Sequence, residues 1–308
     1  MGVAGMKRLR AVVALVAVGI LAGLSLVGLA SMKDEEETAV AYEPFQETPL
    51  GESSVIAMSS AGMQRSMILS MPTTPAPEKG YPVIFMFHGW QENAALMRDY
   101  AEMDNTEAIV VYPDGLMRAW GGGPYAQTND NRGDEALVRD IIGRLEVTYS
   151  INRERVFVAG MSNGGGFATL LGCRVNDVIK AVASISSANY EGIRYGCSTA
   201  PMPTLAIHGT ADQVMNFEGG IRHGTRYYSI AEAREADVER NQCREAITKP
   251  VSDTIERTVW QGCDARTEFY TIYGGVHIWG GNPDDLNETV PKHFASDTVL
   301  EFFGVERE

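Results

Sequence analysis

Short runs of apolar residues recur along most of the chain, and each is bounded by residues that favour turns. A continuous run of this kind is typical of a strand buried on both faces of a sheet, because every side chain then needs an apolar neighbour. A more mixed stretch at 64–71 predicts a first strand. The apolar runs predict further strands at 81–87, 108–112, 155–160, 180–185, 203–209 and 267–273.

Stretches with helical periodicity lie between these runs. In residues 134–149, Leu137, Ile141 and Leu145 fall on one face of a helix, and acidic residues at its start favour the positive end of the helix dipole. Further helices are predicted at 163–173, about 225–245 and 293–303. The alternation of strands and helices predicts an α/β fold, with a mostly parallel sheet that is flanked by helices on both faces.

The N-terminal segment has the pattern of an export signal or a membrane anchor. Lys7, Arg8 and Arg10 precede an uncharged apolar run at 11–32. The small residues Gly28 and Ala30 suit cleavage after Ala30, whereas the length of the run also allows a membrane-spanning anchor. We therefore expect residues 1–32 to be a signal peptide or an anchor, 33–62 to be an acidic flexible spacer, and 63–308 to be one folded domain outside the cytoplasm.

The net charge argues against one class of partner, and the four cysteines predict disulfides. The 308 residues carry a formal net charge of −14, which argues against nucleic-acid binding because that needs positive charge. The four cysteines have no zinc-site spacing, and an exported protein favours disulfides. Three pairings are possible, and sequence proximity favours Cys173 with Cys197 and Cys243 with Cys263.

A nucleophile motif joins one predicted strand to the next helix. The segment Gly160-Met161-Ser162-Asn163-Gly164 lies directly after the run at 155–160. A sharp strand-to-helix turn of this composition exposes a serine oxygen, and the glycines leave room for the crowded backbone. Ser162 is therefore the predicted nucleophile.

A base and its orienting acid follow in the chain order that such turns require. Asp212 comes just after the predicted strand at 203–209, and His277 lies in a Gly-rich loop after the strand at 267–273. Both positions are at carboxyl ends of strands, where open α/β sheets build their sites. Asp253 and Asp264 are alternative acids, but neither closely follows a buried run.

The tetrahedral intermediate that forms when a serine attacks a carbonyl also needs donors for its oxyanion. We expect the backbone amide of Asn163 to be one, and the amide of Trp90 in the loop after strand 81–87 to be the other, with Gly89 as its alternative. Trp90 and Trp279 either line a substrate pocket or cover the end of the sheet.

Other segments and residues around the predicted site have less specific expected roles. Residues 118–131 and 213–262 are expected to form the pocket walls. His88 and His208 are expected to make loop hydrogen bonds. Acidic residues near 130–135 match no calcium loop, and no metal or organic cofactor is expected.

Five motifs occur in a characteristic order: FHGWQENA, YPDG, GMSNGG, HGTADQV and GGVHIWGG. Together they resemble the secreted polyhydroxybutyrate depolymerase, feruloyl esterase and acetylxylan esterase group of α/β hydrolases, across about residues 65–305. The resemblance implies a carboxylic ester hydrolase that uses Ser162, Asp212 and His277 on a small-molecule or polymer ester. Trp90 stands where many depolymerases have cysteine, and HIWGG lacks a proline common after the tryptophan, which affects the substrate more than the reaction type.

Two other functions are compatible with the same residues. A serine peptidase could use the same triad, since the triad does not distinguish esters from amides. A binding protein could keep a hydrolase scaffold without catalysis. Such a protein usually lacks a member of the triad, whereas this chain has all three.

Overall fold

The computed structural model describes residues 41–130, 132–283, 285 and 289–308. Its strands are β1 (Ser53–Ser60), β2 (Met63–Ser70), β3 (Tyr81–Phe87), β4 (Ile109–Pro113), β5 (Ile151–Met161), β6 (Ala181–Ile185), β7 (Thr204–Gly209), β8 (Gly220–Arg222), β9 (Thr225–Tyr227), β10 (Glu245–Pro250), β11 (Ile255–Gln261) and β12 (Thr267–Ile272). Its helices are α1 (Ala94–Ala101), α2 (Gly133–Thr148), α3 (Asn163–Arg174), α4 (Ile230–Arg240) and α5 (Phe294–Phe303).

The main sheet has a parallel centre and antiparallel edges. Its strand order is β1-β2-β4-β3-β5-β6-β7-β12-β11-β10. The strands from β4 to β12 in this order pair in parallel, whereas β1, β2, β11 and β10 pair antiparallel with their neighbours. The predicted mostly parallel sheet is confirmed.

Helices cover both faces of this sheet, as the apolar runs predicted. Every residue of β3 is buried, and successive side chains of a strand point to opposite faces. Phe85 and Phe87 therefore pack in one core with α2 and α3, whereas Ile84 and Met86 pack in another with α1 and α5. The central strands hold the carboxyl-end loops in fixed positions.

The predicted spacer at 33–62 is wrong at its C-terminal end. Residues Ser53–Ser60 form β1, which pairs with β2 along its whole length, and Phe45 is buried against the core. The strand was missed because it is serine-rich and lies at an edge, with Val55 exposed and only Met58 and Ser60 fully buried.

The predicted helix at 225–245 is too long. Only Ile230–Arg240 is helical. Residues 225–227 form β9 and residues from 245 form β10. Strand β10 is mostly exposed and polar, so it lacks the apolar signal of the central strands.

Both predicted disulfides are confirmed. Cys173 at the end of α3 is bonded to Cys197, and Cys243 is bonded to Cys263. The predicted signal or anchor at 1–32 lies outside the described residues. Within the described ranges, no helix is both long and apolar enough to cross a membrane.

Candidate active site

Ser162 lies at the sharp turn between β5 and α3. Its φ of 54° and ψ of −118° are strained for a non-glycine residue. Hydrogen bonds hold this conformation, because its N–H donates to Ile185 O at 3.0 Å and its carbonyl oxygen accepts from Ala188 N at 2.8 Å. A Cβ on Gly164 would lie 2.0 Å from Phe87 O, so glycine is required where the turn meets the end of β3. The result is a partly exposed serine side chain facing a cleft.

Two neighbouring strands bring the predicted acid and base together. Strands β7 and β12 pair in parallel, so the loops that carry Asp212 and His277 leave the same edge of the sheet. His277 Nδ1 lies 2.7 Å from Asp212 Oδ2, and the carboxylate can only accept. The proton is therefore on Nδ1, which leaves Nε2 as the basic nitrogen. Ser162 and His277 line the same cleft.

The alternative acids lie elsewhere. Asp253 is an exposed residue between β10 and β11, and Asp264 is an exposed residue between β11 and β12. The backbone N–H of Asp264 bonds to Asn241 O. Neither residue lines the cleft with Ser162.

Asp212 is held as a buried carboxylate by four donors. Its Oδ1 accepts from the amides of Val214 and Met215, both at 2.8 Å. Its Oδ2 accepts from His277 and also from His208 Nε2 at 3.2 Å. Burial raises the pKa of Asp212, but hydrogen bonds from His208 and His277 outweigh it and hold the pKa well below its usual value. The group therefore stays ionised and fixes the tautomer of His277.

The loop after β3 supplies a free backbone donor near the turn. Gly89 N–H donates to Glu92 Oε2 at 2.8 Å, so this amide is already used. Within the described ranges, no protein group accepts the N–H of Trp90. Asn163 is the first residue of α3, and an amide at that position has no partner within its helix. The Trp90 amide thus has no acceptor within the described ranges and the Asn163 amide has none within its helix, and their pairing as an oxyanion hole stays a prediction.

Glu92 holds the loop that carries Trp90, a contact that the sequence did not predict. Its Oε2 accepts from Gly89 N–H and from the hydroxyl of Tyr100 at 2.9 Å. Burial raises the pKa of Tyr100 well above its usual value, which keeps that donor protonated. Because Trp90 directly follows Gly89, this carboxylate fixes the peptide next to the free amide. A polar residue three positions after the His-Gly pair is the sequence signal that could have found it.

We expect Glu92→Gln to lower kcat on a simple ester about tenfold and to change KM less than twofold. The amide keeps the shape but weakens the bond to Gly89, and complete loss of an oxyanion donor costs about 10²–10³ in kcat. Steady-state kinetics on a 4-nitrophenyl ester measure both values. Glu107→Gln, which removes a carboxylate paired with Arg155, is the control. An unchanged kcat in Glu92→Gln would contradict this role.

His88 is buried and uses both ring nitrogens. Nδ1 donates to Gly89 O at 2.7 Å, and Nε2 accepts from Gly115 N–H at 3.0 Å. A backbone amide cannot donate to a protonated nitrogen, so the ring is neutral. Burial lowers the pKa of His88 below its ordinary 6.5. The prediction that His88 makes loop hydrogen bonds agrees with these contacts.

We expect this neutral histidine to make the fold less stable in mild acid. In the unfolded chain His88 binds a proton near pH 6.5, whereas the buried ring of the folded protein stays neutral. The free energy of unfolding therefore falls as the pH decreases below that value, by at most about 1.4 kcal/mol per pH unit. Urea midpoints at pH 7.5 and 5.0 measure the fall. The fall in the urea midpoint should be smaller in His88→Gln than in wild type. The exposed control His223→Gln should show the same fall as wild type. Equal falls in all three proteins would disprove it.

Aromatic side chains form one wall of the cleft, which has a volume of about 210 Å³. Trp90 stacks on Tyr125 with ring centroids 4.8 Å apart. His223 packs edge-on against both rings, at 4.7 and 5.1 Å. Tyr125 belongs to the loop at 118–131 and His223 to the segment at 213–262, the two stretches predicted as pocket walls.

Trp279 is not part of this wall, so its predicted place in the pocket is wrong. Its side chain is fully buried, and its indole N–H donates to Ser296 Oγ of α5 at 2.9 Å. The loop after His277 turns into the core, where Trp279 covers the end of the sheet. Lining the pocket and covering the end of the sheet were the two expectations for both tryptophans. Trp279 covers the sheet, and of the two only Trp90 lines the cleft.

The parallel sheet and the strand-to-helix serine turn are features of the α/β-hydrolase fold. Structural comparison supports this fold. Acetyl xylan esterase from Aspergillus awamori aligns with a TM-score of 0.58 at 14% identity, covering 82% of this chain and 99% of that one. Thermogutta terrifontis esterase 2 aligns with a TM-score of 0.54 at 14% identity, covering 81% and 90%.

Sequence comparison shows which group of esterases the chain resembles. The profile of the family described as "Esterase PHB depolymerase" matches residues 65–202. A probable feruloyl esterase C of Aspergillus terreus is 29% identical over 78% of this chain and 83% of its own length. Feruloyl esterase D of Neurospora crassa is 26% identical over 79% and 82%. These matches confirm the resemblance to the depolymerase and feruloyl esterase group, whose matching relatives are named as esterases.

Proposed function

We propose that the protein is an exported serine esterase that works through an acyl-enzyme on Ser162. The observation that carries this proposal is the 2.7 Å hydrogen bond from His277 to Asp212, with His277 lining the same cleft as the strained Ser162 turn. A histidine held in this tautomer beside a serine is the arrangement that activates a hydroxyl as a nucleophile.

The reaction proceeds in two halves. His277 Nε2 takes the proton of Ser162 as Oγ forms a bond to the ester carbonyl carbon, and the amides of Trp90 and Asn163 bind the resulting oxyanion. The tetrahedral intermediate collapses, the alcohol leaves with the proton from His277, and an acyl-enzyme remains. Water then attacks the acyl carbon while His277 accepts its proton, and the acid is released as that proton returns to Ser162.

The aromatic wall of the cleft favours binding of esters that carry an aryl group. Trp90 and Tyr125 provide a flat apolar surface next to the nucleophile, and aromatic groups favour offset stacking on such surfaces. The names of the feruloyl esterase relatives agree with this chemistry. We therefore place phenolic esters first, ahead of acetyl esters and hydroxybutyrate oligomers.

One parallel assay tests this function. Full-length protein is incubated with methyl ferulate, 4-nitrophenyl acetate, acetylated xylan, a hydroxybutyrate oligomer and a peptide amide, and labelled separately with a fluorophosphonate probe. We expect ester turnover, with methyl ferulate best, and labelling of Ser162 identified by peptide mass. Amide cleavage as fast as ester cleavage would favour a peptidase. No labelling and no turnover by folded protein would leave only a binding role.

Export is supported by the two disulfides, because such bonds persist in oxidising compartments. Cell fractionation after expression of the full chain tests it. A mature protein that starts near residue 31 would indicate a cleaved signal, and an intact membrane-bound chain would indicate an anchor. A reduced, cytoplasmic protein would contradict export.

A further inference from the structure

A small hairpin lies directly after the Asp212 loop and reaches the cleft. Strands β8 and β9 form a two-stranded sheet that is separate from the ten-stranded one. Their two-residue turn is His223-Gly224, with φ of 51° and 74°, as a tight hairpin turn with two left-handed residues requires. The base is anchored by Tyr227, which is buried and bridges to Tyr190. The hairpin therefore holds its tip in a defined place.

This tip presents a cation to the cleft. Arg222 is half-buried and lines the cleft together with Ser162 and His277. In the part of the chain that the structure describes, no carboxylate lies within ion-pair distance of Arg222. Arg226, four residues further along the same hairpin, is by contrast paired with Glu191 at 2.8 Å and with Glu232 at 2.5 Å. Arg222 thus carries a charge that the protein leaves unneutralised.

The carboxylate of Glu92 also lines the cleft, but it is already used by the loop after β3. It accepts from Gly89 N–H and from the hydroxyl of Tyr100. Glu92 holds the loop before Trp90, and in the part of the chain that the structure describes it does not lie within ion-pair distance of Arg222.

The charge of Arg222 acts inside the cleft and not only at its rim. Burial raises the pKa of Tyr190 to about 12, and the positive charge of Arg222 opposes that rise. Burial likewise raises the pKa of Tyr125, and Arg222 again opposes it. Both tyrosines line the cleft together with Arg222, so the positive charge lies beside the space that a substrate would fill.

An unpaired guanidinium in a partly desolvated cleft is stabilised by a bound anion. Its planar fork of N–H donors matches a carboxylate, with which it forms two parallel charge-assisted hydrogen bonds. We propose that Arg222 binds a free carboxylate of the substrate, and that the preferred substrate is an ester carrying such a carboxylate a short distance from the scissile bond. This inference rests on the proposed esterase function.

Matched pairs of substrates that differ only in charge test this preference. On the acyl side the pair is mono-4-nitrophenyl adipate and its neutral terminal amide. On the alcohol side the pair is 4-acetoxybenzoate and 4-acetoxybenzamide. Wild type, Arg222→Gln, Arg222→Lys and the control Arg226→Gln are compared by kcat/KM on all four esters.

In at least one pair we expect wild type to prefer the anionic ester. Arg222→Gln should lower kcat/KM for that ester about 10- to 100-fold, the value of a charged hydrogen bond, and change its neutral partner less than threefold. Arg222→Lys should recover part of the preference. Arg226→Gln should keep it, although the same charge is removed from the same hairpin.

The neutral esters separate this inference from the function on which it rests. Normal turnover of both neutral esters by Arg222→Gln shows that the fold and the triad are intact. Equal effects of Arg222→Gln on charged and neutral members of both pairs would then overturn the role of Arg222 and leave the esterase proposal standing. Absence of turnover of all four esters by wild type would overturn both.

Discussion

Replacing Ser162 with alanine should lower ester turnover by about 10⁶-fold in kcat, the size of the effect when a triad nucleophile is removed. The variant loses Oγ and so cannot form the acyl-enzyme. Its backbone hydrogen bonds to Ile185 and Ala188 do not involve the side chain, so the turn and the cleft should persist. Turnover of a 4-nitrophenyl ester above the enzyme-free rate measures the loss, and fluorophosphonate labelling should vanish with it.

Ser187→Ala is the matched control for this variant. Ser187 is a buried serine beside the same turn, and its hydroxyl donates to Asn189 Oδ1 at 3.1 Å. Its loss should change kcat less than tenfold. Substantial turnover by Ser162→Ala, or an equal loss in Ser187→Ala, would show that Ser162 is not the nucleophile.

Asp212→Asn should lower kcat at neutral pH by about 10⁴-fold, as expected when a triad histidine is held in the wrong tautomer. The amide oxygen can replace Oδ1 as acceptor for the amides of Val214 and Met215. The NH₂ group then faces His277, whose Nδ1 must become an acceptor. The proton moves to Nε2, so the nitrogen that should take the proton of Ser162 is no longer basic.

His208 makes this substitution especially unfavourable. Its Nε2 lies 2.8 Å from Met215 O, and a carbonyl oxygen only accepts, so His208 Nε2 carries a proton that also faces Asp212. An amide NH₂ would meet this donor without an acceptor between them. Kinetics of Asp212→Asn beside Asp264→Asn test the assignment, because Asp264 is one of the two alternative acids and should be replaceable with less than a twofold change in kcat. A larger loss of kcat in Asp264→Asn than in Asp212→Asn would identify Asp264 as the acid instead.

The central fold could be predicted from sequence because its signals are local. Every residue of β3 is buried, so an uninterrupted apolar run indicated the strand directly. The positions of Asp212 and His277 followed from the strands before them, since carboxyl ends of parallel strands meet at one edge. The edge strands β1 and β10 have exposed, polar faces, and nothing local distinguishes them from loops.

The parts of the site that escaped prediction depend on contacts distant in sequence. Trp279 follows His277 by two residues, but only the packing of α5 shows that it points into the core. The place of Arg222 was hidden because the segment after Asp212 has no strong periodicity and its strands have three residues each. Glu92 acts through Tyr100 and Gly89, a combination that no motif encodes.

The separation of the β8–β9 hairpin from the main sheet divides the molecule into two independently adjustable parts. Ser162, His277 and Asp212 follow strands of the ten-stranded sheet, whereas the tip with Arg222 and His223 has its own short ladder. A turn of two residues can be lengthened or recharged without breaking a hydrogen bond of the ten-stranded sheet. We therefore expect substrate preference in this scaffold to be evolvable, and open to directed redesign, at constant reaction chemistry.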